Sequence, residues 1–118
     1  MLRIMKDRQT WWSVKVSVPK DGNAVETFEP KFLLKLMKAD QLAKVGGGLP
    51  AEELTGILEN AVAGWEGLAG EDGTPLEFNA ETRREVLNEP FIRRELLLAL
   101  VEASGALVPK ASAPGSVG

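Results

Sequence analysis

The chain has 118 residues and a formal net charge of −3, and it contains no cysteine and no histidine. Those absences exclude disulfides, thiolate nucleophiles, zinc–thiolate and iron–sulfur sites, imidazole bases and two-histidine metal sites. Tyrosine is missing too, so only carboxylates, lysine, arginine and hydroxyls remain for chemistry, and a non-catalytic protein without cofactor or metal is expected.

The length fits one domain, since folding at this size hides roughly 65% of the unfolded surface. Charge is divided along it: residues 1–50 carry a balance of +4 and residues 51–118 a balance of −7. The acidic total argues against a nucleic-acid partner. Ordinary charge balance on a solvated surface is the first account of the division, and a two-faced molecule that associates head to tail as a homo-oligomer is the alternative. The longest unbroken apolar run, residues 96–101, falls far short of the ~18 residues of a membrane span. With no apolar signal segment near Met1, the expected location is the cytoplasm.

Residues 1–10 lack a period and read as a loosely held lead-in. Strict alternation then begins, with Trp12, Val14, Val16 and Val18 on one face and Ser13, Lys15 and Ser17 on the other, the mark of a half-buried strand. The run from Pro19 to Asn23 supplies turn residues, and an extended pattern returns from Ala24, giving a β-hairpin over residues 12–34. Residues 31–37 fit strand or helix. A short helix is predicted over 38–45, stopped by the hinge Gly46-Gly47-Gly48, which lacks the lysine and hydroxyl of a phosphate loop.

A second helix is predicted over 50–65. Pro50 opens it, Glu52 and Glu53 favour its first turn, and Leu54, Ile57, Leu58, Ala61, Val62 and Trp65 form one stripe. Gly64, Gly67 and Gly70 are expected to end it, and Asp72-Gly73 to make a tight reversal. Asn79 is an N-cap for a helix over 80–88. Pro90 starts a last helix over 90–104, closed by Gly105 and apolar around much of its circumference. Residues 106–118, rich in Ala, Ser, Pro and Gly, are expected to form a disordered tail. The fold class expected is α+β: a small antiparallel hairpin packed with about four helices in one domain over 11–105.

The carboxylates around Asp72 lack the spacing of a calcium loop, and a solvated turn explains them. Trp11 and Trp12 must point to opposite faces of their strand. If Trp12 joins the valines in the core, Trp11 lies with Ser13 and Lys15 and is a candidate contact residue.

The segment Trp65-Glu66-Gly67-Leu68, the turn Asp72-Gly73 with Pro75-Leu76-Glu77-Phe78-Asn79, and the Asn88-Glu89-Pro90 break before a leucine-rich helix resemble the tail assembly chaperones of long-tailed bacteriophages. The hairpin is similar to theirs as well. The resemblance covers about residues 11–105. It implies a protein that binds the long apolar tape measure protein, keeps it soluble, helps bring tail tube subunits to it, and leaves before the virion is complete. It also implies a −1 ribosomal frameshift near the gene's end in many members, and Val108-Pro109-Lys110 is codon-compatible with a slippery heptamer. The motif residues Trp65, Gly67, Asp72, Gly73, Leu76, Phe78 and Pro90 suit core and turn roles. Partner contact is placed instead on Trp11, on the last helix around Leu97 and Val101, and on the tail. A structural adaptor or connector that stays in the phage particle, or another small interaction module, is the alternative.

Overall fold

The computed structural model describes residues 1–105 of the chain. The expectations for residues 106–118, a disordered tail, a partner contact and a frameshift site, lie outside them. The architecture is α+β. Strands β1 (Gln9–Ser13), β2 (Val16–Pro19), β3 (Val25–Phe28), β4 (Lys31–Lys35) and β5 (Val62–Glu66) combine with helices α1 (Ala39–Gly46), α2 (Ala51–Ala61), α3 (Ala80–Leu87) and α4 (Pro90–Ala103).

The expected hairpin is present and longer than its predicted bounds. β1 pairs with β4 (Trp12 opposite Phe32) and β2 with β3 (Val16 opposite Phe28), in one unchanged register. The two ladders are halves of a single ribbon interrupted only near Pro30, which has no N–H to offer a ladder. Even there the pairing persists through the Pro30 carbonyl, which accepts from Val14 N at 2.9 Å. Residues 31–37, open to strand or helix, resolve as strand β4 and a short exit. At the tip Gly22 and Asn23 take φ of 75° and 65°, and glycine and asparagine tolerate this region best.

The second helix is shorter than predicted. α2 ends at Ala61, and Val62–Glu66 forms β5, which pairs antiparallel with β4 to give a three-stranded sheet in the order β1-β4-β5. Trp65 therefore belongs to a strand, and Gly64 lies inside that strand rather than ending a helix. The cause is a β-bulge. Leu33 faces Gly64 while Leu34 faces Val62, so Ala63 is the extra residue. Val62 and Trp65, three apart, can then both be buried on the inner side, whereas a regular strand would send them to opposite faces. That spacing of three is what imitates a helical stripe.

The helices cover the inner side of the ribbon and sheet. Phe32, Leu34, Leu58, Val62, Leu87, Leu96 and Leu100 are fully buried in one core, and no polar or charged residue of the described chain is buried. α3 carries the expected cap: the Asn79 side chain accepts from Thr82 N at 2.9 Å, and Asn79 N donates to the Thr82 hydroxyl at 3.0 Å, a reciprocal capping box. α4 begins at Pro90, and Gly105 follows it with φ of 100°. Beyond Ala103, Ser104 Oγ accepts from Met37 N at 2.8 Å, tying the end of α4 to the exit of β4.

Candidate partner-binding surface

Alternation along β1 and β4 decides what the two faces of the sheet present. Trp12, Phe32 and Leu34 point toward the helices, so their neighbours Trp11, Leu33 and Lys35 point away. Trp11 pairs with Leu33, and Leu33 with Gly64, which makes one apolar row across all three strands on the outer face. Trp11 is 47% exposed. Its indole reaches over the row toward β5: a Cβ placed on Gly64 would stand 3.8 Å from Trp11 Cη2 and 3.7 Å from Leu33 Cβ. The bare glycine is the floor on which the aromatic ring rests, an arrangement known to support glycines within sheets.

Charged groups border the row. Lys31 lies beside Glu66 on one side and Lys35 beside Gln9 on the other, all exposed. Lys31, Lys35 and Glu66 make no ion pair within the described residues. An apolar strip ending in a half-exposed tryptophan, with uncommitted charges at its rim, is the anatomy of a protein-contact surface.

Leu97 and Val101 are less available than expected. Both are half-buried against the core, and the exposed apolar residue of α4 is Leu98, at 59%, which the sequence reading missed. Part of the signal is in the sequence: Leu96, Leu97 and Leu98 are consecutive, and successive helical residues are ~100° apart, so all three cannot face one core, though which one faces out is set by packing. Val25 beside the hairpin tip and Phe28 at the other end of β3 are also exposed, at 65% and 46%, and the sequence does not mark either.

The motif residues serve the fold. Trp65 stacks edge-on with Phe32 at 6.4 Å and with Phe78 at 4.8 Å, and its Nε1–H donates to the Leu76 carbonyl at 2.9 Å. Arg83 lies 5.7 Å from the centre of the Phe78 ring, within cation–π range. Gly67 has φ of 89° and packs so closely on Pro30 that a Cβ would lie 3.4 Å from Pro30 Cα. In the reversal the Asp72 carboxylate accepts from the Thr74 hydroxyl at 2.7 Å and from Thr74 N at 3.1 Å, and Gly73 follows with φ of 83°. Those two bonds, the hydroxyl's first, hold the Asp72 carboxyl below its ordinary value of 3.8. Leu76 N closes the reversal on the Leu68 carbonyl at 2.9 Å.

A groove of about 630 Å³ opens between α1, α2 and the chain around residue 7, with Leu36, Met37, Leu49, Gly56 and Ile57 on its walls and Asp7, Lys35, Lys44 and Glu53 at its rim. Among the described residues no cluster of three or more carboxylates could hold a metal ion, and no helix is long and apolar enough to cross a membrane. Comparison of the chain with protein-family models, with curated proteins and with solved structures gives no match.

Proposed function

We propose that this protein is a non-catalytic tail assembly chaperone of a long-tailed phage or prophage, working in the cytoplasm of the host cell. It holds an apolar helical segment of the tape measure protein, helps recruit tail tube subunits to it, and is absent from the finished virion. The observation that carries this reading is the row of half-exposed Trp11 and half-buried Leu33 and Gly64 on the outer face of a sheet whose inner face packs Phe32, Leu34 and Val62 into the core. Together with the resemblance of residues 65–79 and 88–90, it supports a module whose work is contact rather than chemistry.

The physical account is short. A tape measure segment is long and apolar, and alone it associates with itself. A rigid sheet that offers a tryptophan and a leucine removes part of that apolar surface from water at ~25 cal/mol per Å², and the charged border keeps the complex hydrated. Dissociation at the end of assembly requires a modest contact, which three residues in a row provide better than a deep groove. Co-expression of the chain with segments of the long helical protein encoded downstream of its gene tests the reading. A segment that is insoluble alone and soluble in complex is the expected result. Recovery of the chain in purified virions would favour an adaptor that stays in the particle.

A further inference from the structure

Residues 1–5 and the groove beside α2 are two unsatisfied surfaces of one molecule. Met1, Leu2, Ile4 and Met5 are 120%, 78%, 87% and 46% exposed, an apolar arm that its own chain leaves uncovered. Its root is fixed. Leu36 N donates to the Arg8 carbonyl at 2.8 Å and Lys38 Nζ to the Met5 carbonyl at 2.7 Å, so the chain through residues 5–8 runs along the exit of β4, and Asp7 forms part of the groove's rim.

The groove offers a mixed surface: Leu36, Met37, Leu49 and Ile57 form an apolar patch bordered by polar and charged side chains, and Gly56 leaves open space in the middle of α2, because a Cβ there would meet nothing within 4 Å. Glycine inside a helix costs ~1 kcal/mol relative to alanine, so the notch exists at a cost that the fold of one chain does not explain. Glu53 at the rim has no ion pair within the described residues, and Arg3 of the arm is a cation suited to meet it.

We propose that the arm of one copy seats in the groove of a second copy, Ile4 and its apolar neighbours over Gly56 and Arg3 toward Glu53, while the second copy's arm returns the contact. Each arm springs from the rim of its own groove, so two copies facing each other across a two-fold axis satisfy both grooves at once and the assembly closes as a dimer. The contact places Ile4 on the apolar patch beside Gly56, so it loses less to salt than association of the basic and acidic halves, which rests on charge alone. It stands independently of the tape measure reading, which uses the row of Trp11, Leu33 and Gly64, none of which lines the groove.

The absence of native cysteine makes the test clean. Chains carrying Ile4→Cys, with a size tag, are mixed with untagged chains carrying Asn60→Cys, a groove residue, and oxidised. The expected product is a disulfide-linked heterodimer, lost when Gly56→Leu is added to the Asn60→Cys chain. Gly56→Leu fills open space on a helix, and circular dichroism should show the parent's helical content. Sedimentation of the unaltered chain should give a dimer at low and high salt, falling to a monomer with Gly56→Leu or on deletion of residues 1–5. A monomeric parent, no heterodimer, or a heterodimer indifferent to Gly56→Leu would each overturn the proposal. So would an internal disulfide in an Ile4→Cys/Asn60→Cys double variant that remains monomeric, since the arm would then fill its own groove.

Discussion

Replacing Trp65 by phenylalanine is the sharpest probe of how the 66–78 reversal is held to the sheet. The change removes the Nε1–H bond to the Leu76 carbonyl, 2.9 Å long, which contributes about 1 kcal/mol and leaves that carbonyl without its partner. Phenylalanine also lacks the second ring, and a void of roughly 40 Å³ at ~24 cal/mol per Å³ costs about 1 kcal/mol more. The edge-on contacts to Phe32 and Phe78 survive in weakened form, so the total is about 2 kcal/mol. For a domain of this size that lowers Tm by roughly 8–16 °C. Urea unfolding followed by circular dichroism measures it without relying on tryptophan emission. Trp12→Phe is the control, because no hydrogen bond from its indole is present among the described residues, and it should cost under about 1 kcal/mol. A Trp65→Phe loss below about 0.5 kcal/mol, or one no larger than that of Trp12→Phe, would refute the clasp.

Two glycines should respond in opposite directions. Gly67→Ala forces a side chain into positive φ against Pro30 and should destabilise by about 1–2 kcal/mol, whereas Gly56→Ala, which meets nothing within its own chain, should stabilise the single folded chain by about 0.5–1 kcal/mol; urea titration at a concentration too low for association reads both. Asn79→Ala removes one side of the α3 capping box and should cost about 1 kcal/mol, with the loss of helicity visible by circular dichroism. The Asp72 carboxyl, lowered by its bonds to Thr74, is charged in the native turn to lower pH than in the unfolded chain. It therefore adds stability above the unfolded value, and that contribution is lost as pH falls below about 4. A carboxylate-detected NMR titration should place its midpoint below 3.8, and Thr74→Val should raise it; a midpoint at or above 3.8 in the parent contradicts the geometry.

What could be read from the sequence was local. The alternation of Trp12, Val14, Val16 and Val18, the turn residues near Gly22, the Asn79 cap and the Pro90 start each act within a few residues, and each is found where its pattern lies. β5 was not legible, because its identity depends on the free edge of β4, some thirty residues earlier in the chain, and because the bulge at Ala63 gave a strand the spacing of a helix. The exposure of Trp11 followed from its neighbour Trp12 being turned inward. Its position over Gly64 did not, since nothing local links those residues. The sequence of α4 does not separate Leu98 from Leu97 and Val101, because the phase of the helix on its neighbours is set by tertiary packing, which an all-round apolar helix leaves open.

The proposed binding of an apolar tape measure segment to the outer row of the sheet is tested by co-purification of such a segment with the parent chain, with Trp11→Glu and with Leu98→Glu, after each variant is shown to keep its native circular dichroism. The parent and Leu98→Glu should retain the segment in solution, and Trp11→Glu should lose it. Equal retention by Trp11→Glu, or no retention by the parent, would contradict the proposal.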